Sequence, residues 1–358
     1  MLKKRVLSVL LSVAMVASVF AGCGGGNKEG DMHFEIVSKG FQHAYWQAVK
    51  KGAENKAKEL GVTIEFVGPN TESDIADQVQ MLENAINKEP AGIGLAALST
   101  EAALEAITAA KDAGIKIVGF DSGVPGAPEG AIVANCSTDN YNAGAIAAEE
   151  TYKLIKDKIA NASGTVRIGV IAQDATAESI INRGLGFIDK MAELCIADGK
   201  TVNVEGNTKY VSDAKFTKTA SGADVILDVA VPASVDAALS KTDVETILNK
   251  ADTIAIYGSN QHSGEALVSA NETLQKLGTG EGKVIAVAFD SGSVILNAVK
   301  TGVIAGAITQ APVAMGEKLV ETLYAAATGK EVKDVDTGCQ WYTAENMENE
   351  EIKQNLYE

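Results

Sequence analysis

The chain has 358 residues, a formal net charge of −16, 46% hydrophobic and 22% charged residues, four cysteines and two tryptophans. That length exceeds what one small core supports and fits two domains of roughly 150 residues each, and the balance of apolar and charged residues is that of a globular chain rather than a disordered one. The acidity excludes a nucleic-acid surface, which needs a basic face for phosphates, and so few cysteines exclude a disulfide scaffold.

The chain opens on a leader. Lys3, Lys4 and Arg5 precede an apolar stretch over residues 6–20, which runs into Val19-Phe20-Ala21-Gly22-Cys23. A charged start, a short apolar run and small residues before a break are the pattern of an export signal, here residues 1–22. The run of about 15 apolar residues is short of the ~20 that span a membrane. The residues before Cys23 resemble a bacterial lipobox, with Phe20 where leucine is usual. That resemblance implies that Cys23 carries a lipid and becomes the new N-terminus, anchoring the protein to a bacterial membrane at the cell surface or in the periplasm. The glycine-rich residues 23–31 read as a flexible tether. Removing the three basic residues takes the formal charge from −16 to −19.

From residue 33 short apolar runs alternate with longer amphipathic ones. In the first half strands are expected over residues 33–38, 62–67, 91–96 and 115–120, with helices over 43–60, 74–87 and 101–113. Gly61 and Gly114 stop two of these helices, and Ile75, Val79, Leu82 and Ile86 share one helix face. The second half repeats the alternation, with strands over 166–172, 224–231, 253–257 and 284–289 and helices over 178–197, 244–249 and 264–277. Such alternation predicts βαβ units and parallel sheets. The halves also echo each other, since Val118-Gly119-Phe120-Asp121-Ser122-Gly123 and Val287-Ala288-Phe289-Asp290-Ser291-Gly292 both run an apolar strand into Phe-Asp-Ser-Gly. A duplicated βα architecture follows. Val37 to Asp121 is 84 residues and Ile171 to Asp290 is 119, which leaves about 35 extra residues in the second half, expected in the polar, turn-rich stretch 201–223.

Ligands of open parallel sheets bind beyond the carboxyl ends of the strands. This directs attention to residues 38–46, Asp121 and Ser122 in the first half, and to Gln173, Asp174, Ser259, Asn260, Gln261, Asp290 and Ser291 in the second. Carboxylates, amides and hydroxyls of this kind hydrogen-bond vicinal hydroxyl groups, and Tyr45 and Trp46 can cover the C–H face of a sugar. Asp121 and Asp290 can equally cap the helices that follow them, and one of the two aromatics can serve the core. Arg183 lies one turn before Phe187 and can reach the cleft from the helix start or lie on the surface. His33, His43 and His262 have no metal-ligand spacing, and neither a Walker A loop nor a GxSxG elbow occurs. No metal or cofactor is expected, and Cys136, Cys195 and Cys339 are expected to be buried as small hydrophobes.

Along nearly its whole mature length the chain resembles the ribose/galactose-type solute-binding proteins of ABC sugar importers, which share their fold with LacI-type repressors. The matching stretches are Ser38-Lys39-Gly40-Phe41-Gln42-His43-Ala44-Tyr45-Trp46, Val118-Gly119-Phe120-Asp121, Arg183-Gly184-Leu185-Gly186-Phe187, Ala288-Phe289-Asp290 and Ile308-Thr309-Gln310. The resemblance implies an α/β fold of two Rossmann-like lobes with parallel sheets, the type I periplasmic-binding fold, joined by three hinge crossovers near residues 138–139, 310–311 and 336–337. The lobes are then residues 32–138 with 311–336, and 139–310 with 337–358. It also implies that the ligand-binding residues are Gln42, His43, Tyr45, Trp46, Asp121, Asn260, Asp290 and Gln310, to which our own reading adds Ser122 and Arg183. The arginine that clamps the sugar in ribose binders aligns with Ile181, and Arg183 aligns with a neighbouring arginine of the family. This departure and the bulky first-loop aromatics argue against ribose and leave a hexose, another sugar or a short oligosaccharide open.

The expected function is therefore non-catalytic: a monomeric, lipid-anchored protein that captures a sugar by hinge closure and delivers it to an ABC transporter permease. The alternative is a receptor that presents a sugar or sugar-like signal to a membrane sensor kinase. An enzyme using Asp121 and Asp290 lacks a base-orienting group, and a repressor would need a DNA-binding helix pair where the export signal stands.

Overall fold

The computed structural model describes residues 32–40, 43–219 and 221–358; the leader, Cys23, the tether and Gln42 lie outside the described residues. The chain begins with β1 (His33–Val37), α1 (Ala44–Leu60), β2 (Thr63–Val67), α2 (Ile75–Asn87), β3 (Gly92–Leu95), α3 (Leu104–Asp112), β4 (Ile117–Phe120) and β5 (Ile132–Ser137). It continues through α4 (Asn140–Ala160), β6 (Val166–Ile171), α5 (Glu178–Ala197), β7 (Val202–Gly206), α6 (Thr208–Asp213), β8 (Val225–Ala230), α7 (Ala237–Leu248), β9 (Thr253–Gly258), α8 (Gln261–Leu274), β10 (Ile285–Phe289), α9 (Ser293–Lys300) and β11 (Gly306–Gln310). It ends with α10 (Pro312–Ala327), β12 (Val335–Asp336), β13 (Cys339–Tyr342) and α11 (Glu350–Lys353).

These strands form two sheets, one ordered β12-β5-β4-β3-β1-β2 and the other β13-β11-β10-β9-β6-β8-β7. Every pair is parallel except β11 with β13. The central strands β3, β4, β6 and β10 are buried along their whole length, as strands covered by helices on both faces must be. The chain passes between the sheets three times, after β5, after β11 and after β12. These crossovers are tied together: Thr138 donates to Gln310 Oε1 and to the Gly338 carbonyl, both at 3.1 Å, and Asp336 Oδ1 accepts from the backbone N–H of Asp139 and Gly338.

The duplication is visible in how the helices pack. In the first lobe α1 crosses α10 so closely that a Cβ on Gly52 would lie 1.9 Å from the Val313 carbonyl oxygen, and one on Gly316 would lie 2.0 Å from that of Val49. In the second lobe α4 crosses α5 the same way, Gly144 meeting the Arg183 carbonyl at 2.1 Å and Gly186 that of Tyr141 at 2.0 Å. In each lobe a helix that starts at a crossover is pressed onto the helix that follows the lobe's first strand. Those first-strand helices, α1 and α5, carry Tyr45, Trp46 and Arg183.

The stretch 201–223 differs from its expected character. It is not a polar loop but the edge strand β7, parallel to β8, followed by α6. Val202 and Val204 point into the core with a period of two. From α6, the fully buried Tyr210 packs its ring against Gly184 and donates to the carbonyls of Asp174 and Ile180. The extra residues brace α5 from behind and do not line the cleft.

Candidate functional site

The lobes meet with their strand ends facing each other. Contacts between them include Lys39 Nζ donating to Ser179 Oγ (3.2 Å), Gln173 Nε2 to Glu72 Oε2 (2.7 Å), the Val235 N–H to Ser73 Oγ (3.0 Å) and the Gly123 N–H to Glu178 Oε2 (3.0 Å). Between them lies a small cavity, lined from the first lobe by Lys39, His43, Tyr45, Trp46, Glu72 and Asp121, and from the second by Ile180, Arg183, Asn260, Gln261, Asp290 and Gln310.

Asp121 and Asp290 occupy matching places, each one residue past a buried strand, with left-handed backbone at φ 55° and 74°. Such a conformation is costly for a residue with a side chain and is kept where the surroundings hold it. Asp121 accepts from Tyr45 Oη at 2.8 Å on Oδ1, and its Oδ2 lies 3.0 Å from Lys39 Nζ. Asp290 accepts from Gln310 Nε2 at 2.7 Å and from the Gln261 N–H at 3.1 Å. Neither carboxylate caps the helix that follows it in sequence.

Arg183 joins the two. Its guanidinium lies 3.6 Å from Asp290 Oδ2 and 3.9 Å from Asp121 Oδ1, stacks 4.1 Å above the Phe289 ring, and donates through Nε to Asn140 Oδ1 at 2.8 Å. Arg183 and Asp121 are each 2% exposed. Burial lowers the affinity of Arg183 for its proton, but Asp290 and Asp121 outweigh this and hold it above its ordinary value. Burial pushes Asp290 above the usual carboxylate value against the pull of Arg183 and Gln310.

A second network runs beside the first. Trp46 Nε1 donates to Glu72 Oε1 at 2.8 Å, Gln173 donates to the other oxygen of Glu72, and Asn260 Nδ2 donates to Gln173 Oε1. Burial raises the Glu72 carboxyl, yet Lys39 and His43 leave it below its ordinary value. Burial likewise opposes the charge on Lys39, which Asp121 and Glu72 nonetheless hold above its ordinary value.

Of the residues singled out from the sequence, His43, Tyr45, Trp46, Asp121, Arg183, Asn260, Asp290 and Gln310 converge on this cavity. Ser122 does not; its hydroxyl accepts from the Ser179 N–H at the contact between the lobes. Gln42 lies outside the described residues. Lys39 and Gln261, strand-end candidates left out of the ligand-binding set, also line the cavity, as do Glu72 and Ile180. Nothing in the loop around Glu72 marks it in the sequence. Tyr45 and Trp46 serve both roles considered for them, lining the cavity and packing into the first lobe's core.

Away from the cleft, His33, Glu35 and Glu65 come together at metal-binding distance, but Lys88 Nζ lies within 3.0 Å of both glutamates and already supplies their cation. The cysteines at 136, 195 and 339 are free, and burial raises their thiols to about 11, about 12 and about 11, so they stay protonated.

Two parallel-sheet lobes, three crossovers and a polar cavity at the facing strand ends define the type I periplasmic-binding class of protein. The chain belongs to the periplasmic binding protein domain family, whose profile matches residues 34–331. It is 26% identical over 290 residues to the D-allose-binding periplasmic protein of Escherichia coli, covering 79% of this chain and 80% of that one. Among solved structures it is similar to an ABC transporter protein of Brachyspira murdochii described as a LacI family transcriptional regulator, with a TM-score of 0.76 and 33% identity over 92% of this chain and 99% of that one. It is also similar to an ABC transporter solute-binding protein of Agrobacterium vitis with bound D-fucose, with a TM-score of 0.74 and 28% identity over 91% and 100% of the two chains.

Proposed function

We propose that this protein is the extracytoplasmic binding component of an ABC sugar importer and that it holds one neutral sugar between its lobes. The observation that carries the reading is what the cavity leaves unsatisfied: His43 Nε2, Arg183 Nη2 and Gln261 Oε1 are buried without hydrogen-bond partners and come from both lobes. Buried polar groups without partners cost free energy, and a ligand bearing several hydroxyls supplies donors and acceptors to all of them at once. Tyr45 and Trp46 offer aromatic surface beside them. The D-allose-binding relative and the D-fucose complex support a monosaccharide.

Binding here is capture without chemistry. A sugar touches both sets of groups only when the lobes are closed, so its differential affinity shifts the population toward the closed form, with the three crossovers as hinges. The closed form is what the permease meets. Lipid on Cys23 would keep the protein, as a monomer, at the outer face of the membrane, and among the described residues no helix is long and apolar enough to cross a membrane.

Calorimetry against a panel of pentoses and hexoses, including D-allose and D-fucose, tests this. One sugar should bind at a single site, and Asp121→Ala and Asp290→Ala should each weaken it by about 30-fold or more, since truncating one partner of a buried charged pair costs about 2–5 kcal/mol. A panel without any binding, or unchanged affinity in both variants, refutes the proposal. Intact sugar recovered after long incubation distinguishes capture from turnover.

A further inference from the structure

The chain contains three histidines, and two of them meet across the cleft. His43, at the start of α1, and His262, in the first turn of α8, approach edge to face with ring centroids 6.4 Å apart. His43 belongs to the wall of the ligand cavity. The His262 ring is fixed by its Nε2, 2.8 Å from Ser240 Oγ on α7. His262 also lines a second cavity of about 290 Å3, together with Ala237, Glu265, Ala266, Val268 and Val294 among others. Each ring of the touching pair thus lines a different cavity, and each is contributed by a different lobe.

We propose that the His43–His262 pair is an end wall that limits the ligand to a single sugar ring. This rests on the sugar-binding reading and sharpens it, assigning the specificity for ligand length to two named residues. A second ring linked toward the wall would have to occupy the space the imidazoles fill, and closure brings those imidazoles together. Selectivity then comes from a steric block against the longer ligand rather than from better contacts with the shorter one. Beyond the wall the outer cavity has room for another ring, with Glu265 and Glu272 available to its hydroxyls.

The test compares the wild-type protein with His262→Ala, His43→Ala and the double variant. D-Allose and D-glucose are titrated by calorimetry beside cellobiose, maltose and lactose. The wild-type protein should bind its monosaccharide and discriminate against all three disaccharides by about 100-fold or more. His262→Ala should keep monosaccharide binding, because its ring stands outside the ligand cavity, and should narrow that discrimination to about tenfold for at least one disaccharide. The double variant should narrow it further. Wild-type protein that binds a disaccharide as tightly as a monosaccharide overturns the end wall, and so do variants that hold a monosaccharide yet gain no disaccharide. In both cases the sugar-binding reading stands, whereas wild-type protein that binds no sugar at all overturns both.

Discussion

Gly144→Ala probes the site from outside it. The added Cβ would lie 2.1 Å from the carbonyl oxygen of Arg183 and 3.0 Å from the Phe187 backbone nitrogen. Ordinary contact begins more than an ångström further out, so α4 and α5 must part by ~1 Å. The oxygen that is struck belongs to Arg183 itself, whose guanidinium spans Asp290 at 3.6 Å and Asp121 at 3.9 Å. Displacing that backbone draws the guanidinium away from both carboxylates together. In a helix with free space the same substitution would stabilise by about 0.5–1 kcal/mol, but overpacking costs about 1–3 kcal/mol and reverses the sign. The variant should melt lower by calorimetric scan. It should also bind the sugar on the order of 10- to 100-fold more weakly, as misplacing a positioned group by an ångström does elsewhere. Gly186→Ala, which strikes the Tyr141 carbonyl at 2.0 Å, should behave alike. A Gly144→Ala protein with unchanged melting temperature and affinity would refute the claim that this crossing positions Arg183.

Arg183→Gln should weaken sugar binding by about 30-fold or more in calorimetry, because it leaves two buried carboxylates without their shared cation; Arg183→Lys should fall between, since one ammonium cannot span both as a planar fork does. Sugar affinity should be flat above pH 7 and weaken as the pH falls below 6. Burial, and after it the facing His43, depress the His262 imidazole below its ordinary 6.5 against the opposing pull of Glu72, Glu265 and Asp236. A base depressed in the closed form supports closure at pH above its ordinary value and loses that support as acid protonates it, so an affinity constant from pH 5 to 8 would count against this. Tyr210→Ala should cost about 3–5 kcal/mol in denaturant unfolding as a buried aromatic, and it should weaken binding too, because Tyr210 supports the turn of α5 that precedes Arg183; unchanged affinity would confine the stretch 201–223 to a structural role.

The alternation of elements and the pairing of Asp121 with Asp290 were legible because each depends on local pattern: apolar strands flanked by helical periods, and a repeated strand running into Phe-Asp-Ser-Gly. Arg183 was visible as a candidate but not as the link between the two aspartates, which depends on α5 crossing α4 at Gly144 and Gly186. Other features rest on contacts between distant segments. Lys39 and Glu72 are each buried because the other's network compensates its charge. Gln78 interrupts the apolar face of α2, yet it is buried because its amide bonds the Ser38 and Ala96 carbonyls and the Leu98 N–H, holding the two strand-end loops of the first lobe. Tyr357, near the end of the sequence given, accepts from the Gly292 N–H and lies edge-on to Tyr45. No local signal places it there.

The charges around the cavity bear on what kind of ligand can close it. Glu72, Asp121 and Asp290 face Lys39 and Arg183, so the buried wall carries one negative charge in excess. In an open protein all five groups can recover hydration, and closing takes them from water at a cost that their mutual attraction only partly offsets. Several of the compensating contacts run between the lobes, Arg183 with Asp121, Lys39 with Ser179 and Glu72 with Gln173. Closing therefore draws on these contacts and on the differential affinity of the ligand together. A neutral polyol supplies that affinity by pairing the atoms left over. A uronate or a sugar phosphate would bring a further negative charge into a site that already holds one in excess, where only Arg183 Nη2 has a donor to spare. An acidic sugar should therefore bind more weakly than its neutral counterpart in the same calorimetric titration, and equal affinity would count against this charge balance.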